Sequence, residues 1–369
     1  MIGRLRSAWN GVLGRGDAAV TVPSMDGALR PNNALEAADS LLDIEAPDNL
    51  ALDDGRLLFS SGHSLMSLDA PGVPRVLESF PSPVTAIAAG PGGLLAIGLE
   101  EGGVVFRGPG SAIDRLATLG GQPLLCPTAL LFLDAETLIV CQGSSVHAPS
   151  AWSADLLERR ATGSVWRVTL GGGQARCIAA GLAYPNGVLL STDGRLVVSE
   201  SWRHRLIALD PARQTPLRVV LGDLPGYPGR LIHQASGGAW LSVFAPRSQL
   251  VEFVLRERAY CKRMMREVAP AYWVAPALAS GMSFHEPMQG GAVKQMGILK
   301  PWAPTRSYGL VVQLDAEFQP RRSVHSRADG RRHGVTSCIE TPLGLVVACK
   351  GGNVLLTLPN TEVSRAAAA

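Results

Sequence analysis

Apolar and polar residues along this chain fall into short runs of alternating character, broken by Gly-containing turns, and one pattern of such runs recurs. A short apolar strand ends in a turn. A second strand follows and closes on small or polar residues. A third often ends in Leu-Asp, and a fourth is more variable. The clearest copy starts at Pro185 and reads PNGVLLSTDG, RLVVSES, RHRLIALD, PLRVVLGDL. The first copy is DNLALDDG, RLLFSSG, HSLMSLD, PRVLESF from Asp48, and the second is VTAIAAGPGG, LLAIGLEE, GGVVFRG, DRLATLG from Val84. The third copy starts at Pro127, the fifth at Gly229 and the sixth at Gly334. Units of about 40 residues that each spell four strands predict the blades of a β-propeller. The sixth copy lacks a fourth strand, and SLLDIEAP from Ser40 has that strand's character. Donating it to the last blade closes the ring, which removes the exposed edge an open ring would leave.

The fold class predicted is therefore all-β, a six-bladed β-propeller clasped by its N-terminal strand. Two copies are interrupted, at residues 144–162 and 246–306, in both cases between the second and third strands. Those loops open at the end where the innermost strands begin, here called the top. Long loops in a compact domain are functional or disordered, and these carry Trp152, Leu156, Leu157, the helix-like run SQLVEFVLRERAYCKRMMREV, Tyr272, Trp273, Phe284 and Trp302. They are read as ordered lids over the channel mouth, the larger partly helical; rim packing or an oligomer contact is the alternative. The chain divides into an extension at 1–38, the propeller at 39–359 and a tail at 360–369.

Composition changes little in this picture. Of 369 residues 41 are Gly and only 5% are aromatic, which suits short strands and tight turns. A net charge of +3 without a basic, aromatic-interleaved tract gives no nucleic-acid reading. Six cysteines, with no CxxC pair and no zinc spacing, read as reduced core residues of a cytoplasmic protein. No apolar run reaches the roughly 18 residues a transmembrane helix needs. Ile2, Leu5, Trp9, Val12 and Leu13 fall near helical spacing with Arg4, Arg6 and Arg15 among them. A membrane-surface helix over residues 1–15 is one reading of that pattern; a short packed helix or a frayed terminus is favoured.

The starts of the innermost strands form the ring a ligand would meet at the channel mouth. In register with Asn186 they read Asp48, Pro83, Thr128, Asn186, Gly229 with Arg230, and His333, and the second strands add Ser61, His63, Gln142, Glu200 and Trp202.

The stretch PNGVLLSTDGRLVVSESWRHRLIALD resembles the signature of the strictosidine synthase-like family, relatives of the gluconolactonases and paraoxonases. LPGYPGRL from Leu224 and GVTSCIETPLGLVVACKGG near the end resemble it too. The resemblance covers residues from about 40 to 358 and implies a six-bladed propeller with a small-molecule site at the top centre. Hydrolases of that superfamily hold a divalent cation, usually calcium, on an acidic residue of the first blade, Asn of the third and fourth, and Asp of the fifth. Carried over, Asp48 and Asn186 fit, Thr128 replaces an Asn, and Gly229 and Arg230 stand where an Asp-Asn pair is usual. Calcium wants six to eight oxygens, so no tightly bound metal or other cofactor is expected; calcium on Asp48 and Asn186 is the lesser alternative. Instead Arg230 is expected to supply the positive charge, paired with Asp48, while Asn186 orients a ligand oxygen. A structural ion pair with a neighbouring blade is the competing reading of Arg230.

In the synthases a carboxylate at the top of the last blade acts as base. The matching residue here is Thr336, which cannot take a proton at neutral pH, so strictosidine synthesis itself is not expected. His333 is the first candidate base, His63 the second, and Glu200 a third that is read first as a cross-strand ion pair with Arg205. Gln142, Trp202, Thr128 and Thr336 are candidate substrate contacts. Two functions stay open: an enzyme on a small organic molecule, by lactone or ester hydrolysis or a condensation or lyase step, or a non-catalytic propeller that binds a ligand or a protein.

Overall fold

The structure, a computed structural model, describes residues 22–109, 111, 113–172, 174–212, 217–287, 294–295, 298–299 and 305–359. The residues of the proposed surface helix at 1–15, Trp302 and the 360–369 tail lie outside them. Six four-stranded antiparallel sheets follow one another along the described chain, each ordered from an innermost strand outward. The innermost strands are Pro47–Asp53, Val84–Ala89, Pro127–Phe132, Pro185–Leu190, Gly226–His233 and Val335–Thr341. The turns that join them to their neighbours use the backbone freedom the sequence advertises. Asp54 and Gly55, both at positive φ (46° and 81°), close a two-residue hairpin between Pro47–Asp53 and Arg56–Ser61.

Second strands such as Thr137–Gln142 and Gly344–Cys349 are buried along their whole length, because they are covered on both faces by adjacent blades. Ile139, Cys141 and Val165 of blade three thus pack on Val188, Val198 and Ile207 of blade four. The outermost strand Val73–Ser79, by contrast, is largely exposed. Cys126, Cys141, Cys261, Cys338 and Cys349 are buried free thiols, and Cys177 is partly buried.

The ring closes as the repeat requires. Asp39–Asp43 is the outer strand of blade six, pairing antiparallel with Val354–Leu358 from Asp39 opposite Thr357 to Asp43 opposite Val354. Leu41 enters a core with Leu50, Phe59 and Leu355. Upstream, fully buried Leu35 joins the core of blades five and six. Glu36 accepts the backbone N–H of Arg331 (2.7 Å) and Arg332 (2.8 Å).

Both interruptions lie on the top face. The smaller forms a turn, Pro149–Ala151, and a helix, Trp152–Leu157. The larger begins with the helix Gln249–Val254, capped by Ser248, whose hydroxyl oxygen accepts the N–H of Val251 (3.3 Å), and continues with the helix Arg258–Glu267. The expected single helical run is therefore two helices. The chain turns at Leu255–Glu257 through tight bonds from Arg256 N to Phe253 O and from Glu257 N to Val254 O. The two insertions share one core: Leu156 and Leu157 pack with Val251, Val254, Cys261, Met264 and Trp273, and all rest on Tyr227 and Phe244 of blade five.

Candidate functional site at the top centre

Every innermost strand carries a register shift beside its first residues: after Asp48, Val84, Pro127, Pro185, Pro228 and Val335. Such bulges re-aim side chains at barrel and propeller mouths. The residues at the shifts are Asp48, Thr85, Thr128, Asn186, Gly229 with Arg230, and Thr336. Blades two and six thus differ from the sequence reading: Thr85 takes the place given to Pro83, and Thr336 that given to His333. Asp48, Thr85, Thr128, Asn186, Arg230 and Thr336 all line a cavity of about 390 Å³, which Pro83 also borders. Its roof comes from Pro149, Ser150 and Trp152 of the smaller insertion and Leu278 of the larger, and Phe244 of blade five adds a wall.

Arg230 is the centre of the polar floor. From blade five its Nη1 donates to Asp48 Oδ1 (2.9 Å) and to Thr336 O (3.2 Å). Its Nη2 donates to Thr85 O (2.8 Å) and to the side-chain oxygen of Asn49. One guanidinium thereby gathers oxygens from blades one, two and six. Lys350, at the end of the second strand of blade six, donates to Asp48 Oδ2 at 3.0 Å. Burial pushes the Asp48 carboxyl up, but Arg230 and then Lys350 pull harder and hold it below its ordinary value, so it stands as a carboxylate between two cations. Gly187 makes this approach possible. A Cβ there would lie 2.4 Å from the Gly229 carbonyl oxygen, so only glycine lets blade four's innermost strand close on the segment that carries Arg230.

The remaining candidates sort by what they touch. The Asn186 side chain is half-buried on the cavity wall and has no hydrogen-bond partner among the described residues, so its amide is free for a ligand. The Thr128 hydroxyl donates to Pro185 O (2.5 Å) and ties blade three to blade four. Glu100 borders the cavity and accepts from the hydroxyl and N–H of Ser150, fastening the smaller insertion to blade two. Sequence reasoning missed Lys350, Thr85, Asn49 and Glu100. Lys350 and Glu100 each directly follow a second strand, a shared position that would have found both.

Five candidates lie off the cavity. His333 is buried below the rim, with Nδ1 2.8 Å from Ser307 Oγ and Nε2 2.8 Å from Arg327 O, and burial lowers its pKa. It is a core imidazole with both nitrogens engaged, so the first candidate base does not face the cavity. His63 is exposed on the turn after Ser61, 3.3 Å from Phe80 O, and does not reach the cavity wall. Gln142 is buried opposite Pro127. Glu200 is fully buried and binds the N–H of Ala183 (2.7 Å), Arg203 (2.6 Å) and, across the strands, Arg205 (2.6 Å). It holds the rim of blade four. Glu200→Gln is expected to cost about 2 kcal/mol of stability, read as a lower midpoint in chemical denaturation, without altering ligand affinity at the central cavity. Trp202 stacks on Tyr184 and Trp152, with ring centroids 4.5 and 6.1 Å away, and donates to Asp155 (2.8 Å), bracing the smaller insertion rather than lining the central cavity.

The donor set does not fit a divalent cation. The Asp48 carboxylate is spent on two side-chain cations, Arg230 puts a guanidinium among the axial oxygens, and the Thr128 hydroxyl is committed to a backbone carbonyl. Among the described residues no three His, Cys, Asp or Glu side chains come together as ligands.

The family model for strictosidine synthase matches residues 131–209, from blade three through most of blade four. The adipocyte plasma membrane-associated protein of Danio rerio is 23% identical over 306 residues, spanning 72% of this chain and 74% of that one. Among solved structures, a gluconolactonase from Xanthomonas campestris superposes with a TM-score of 0.56 at 16% identity, covering 92% of this chain and 97% of that one, a likeness of fold. On these matches the chain is a six-bladed β-propeller that is similar to the strictosidine synthase family over residues 131–209.

Proposed function

We propose that the chain is an enzyme acting at the top-central cavity on a small, largely apolar organic molecule with a carbonyl or carboxylate oxygen. A pair of side-chain cations does there what a metal does in related hydrolases. The observation that carries this is the Arg230 bridge across the channel, joined at Asp48 by Lys350. Two cations on one carboxylate leave one positive charge in excess at the cavity floor, where low dielectric strengthens its pull on an oxygen. The Asn186 amide offers a further donor. Trp152, Phe244 and Leu278 supply apolar walls. For a lactone or ester, Lys350 and Arg230 would stabilise the oxyanion formed as water adds to the carbonyl carbon. Glu100, a cavity carboxylate that enters no ion pair among the described residues, is the group to take that water's proton. The five buried free thiols, Cys126, Cys141, Cys261, Cys338 and Cys349, fit a reducing, cytoplasmic setting.

The test is a screen of purified protein against lactones and aryl esters, with calcium or a chelator. Turnover is expected with either addition, and Lys350→Met is expected to lower kcat/KM by about 100-fold. Turnover that depends on calcium would overturn the proposal. Ligands that bind without turning over would favour the second reading, a binding propeller, which has its own support in Met282 and Phe284 of the larger insertion, 85% and 83% exposed.

A further inference from the structure

A second cavity, about 600 Å³, opens above blade four between the two insertions. Six arginines line it: Arg159 and Arg160 from the smaller insertion, Arg203 and Arg205 from blade four, and Arg247 and Arg256 from the larger. Four are paired with carboxylates. Glu200 holds Arg203 and Arg205, Glu158 holds Arg160, and Arg247 bonds Asp223 (2.8 Å) and Glu252 (3.3 Å). Arg159 and Arg256 enter no ion pair among the described residues. Arg159 sits exposed just past the helix Trp152–Leu157, its backbone at φ 52° and its N–H bonded to Leu156 O (2.8 Å). Arg256 buries its Nη2 without a hydrogen-bond partner among the described residues. A buried charged donor left unmet is costly, and guanidinium groups gathered round one cavity repel each other unless an anion neutralises them.

We propose that this cleft binds a phosphoryl group carrying two or more negative charges, with Arg159 and Arg256 as its primary contacts. The guanidinium fork matches the oxygens of a phosphate in number and spacing, as it stays charged at every relevant pH. Trp202, Leu156 and Val219, also on the cleft wall, give an organic portion an apolar surface. The same chemistry is carried by a soluble phosphorylated metabolite and by a phospholipid headgroup. The site is independent of the central cavity, although the helix Trp152–Leu157 borders both, with Trp152 on one and Leu156 on the other.

The experiment titrates the full chain with inorganic pyrophosphate by calorimetry, and in parallel floats it with phosphatidylcholine vesicles with or without phosphatidic acid. Saturable pyrophosphate binding is expected, weakened by added salt and by roughly tenfold in each of Arg159→Ala and Arg256→Ala. Arg75→Ala, an exposed arginine on blade one, is the control and should bind like the parent. Binding to phosphatidic acid vesicles with the same sensitivity would assign the group to a lipid. Arg159 is exposed, so its variant is expected to melt like the parent, which keeps the test clear of misfolding. Lys350→Met should still bind pyrophosphate, so failure at one site is separable from failure at the other. No binding in either arm, or affinities unchanged in both arginine variants, would overturn the proposal.

Discussion

Replacing Asp48 by Ala is expected to lower the unfolding free energy by about 3–5 kcal/mol. The carboxylate is 6% exposed and lies between Arg230 and Lys350 at 2.9 and 3.0 Å. Its removal leaves two cations on a buried floor with no anion, and Arg230, only partly exposed, cannot recover its solvation without abandoning Thr85 and Thr336. The cost is that of an orphaned charge, which exceeds the net worth of the pair itself. Arg230→Met in the Asp48→Ala background should therefore recover part of the loss, a coupling that a double-mutant cycle measures directly. The pH dependence follows from the sign of the shift. A carboxyl whose folded pKa is depressed contributes stability above its unfolded value of about 3.9 and loses it as pH falls through the lower folded value. The parent protein's denaturation midpoint should drop as pH is lowered below about 4, and the Asp48→Ala midpoint should drop less. A destabilisation under about 1 kcal/mol, the scale of an exposed pair, would mean that water reaches the floor freely and that Arg230 is not held there.

Much of this floor is legible in the sequence, and the misreadings have a common cause. Asp48, Thr128, Asn186 and Arg230 follow from aligning copies whose Gly turns are clear. The bulge in each innermost strand adds a residue that strand alternation does not display. Where the copy begins with unambiguous PN or PT, as in blades three and four, the bulge does no harm. Where the start is apolar and flanked by glycine or proline, as in SPVTA of blade two and HGVTS of blade six, the register slips. Pro83 then stands in for Thr85, and His333 for Thr336. Lys350 was hidden differently. In ACKGG it reads as a solvated lysine at a turn, and only closure of the ring brings it to within bonding distance of a carboxylate 302 positions earlier in sequence. The arginines above blade four were equally unreadable, since RR, RHR, R and R become a cluster only when two insertions from different blades fold onto one another.

The closure strand carries the other large effect. A chain beginning at Ile44 lacks Asp39–Asp43, and with it the ladder to Val354–Leu358, the Leu41 contact with Leu50, Phe59 and Leu355, and the Glu36 clasp on Arg331 and Arg332. It is expected to lose its cooperative melt and to run as soluble aggregate in size-exclusion chromatography with light scattering, because a freshly exposed apolar strand edge pairs with other chains. A milder lesion, Leu41→Asp, puts a charge into that buried position and should cost about 3 kcal/mol. Rescue separates edge exposure from simple loss of residues. Asp39 lies opposite Thr357, so the strand runs back antiparallel from the end of Val354–Leu358 and is within reach of a tight hairpin. A chain starting at Ile44 that carries DSLLD after an Asn-Gly turn joined to Leu358 should regain a monomeric, cooperatively melting ring. If the truncated chain is itself monomeric and melts cooperatively, the ring does not depend on its clasp. If truncation fails and the transplanted strand restores nothing, the damage lies in the lost Glu36 and Leu35 contacts rather than in the open edge.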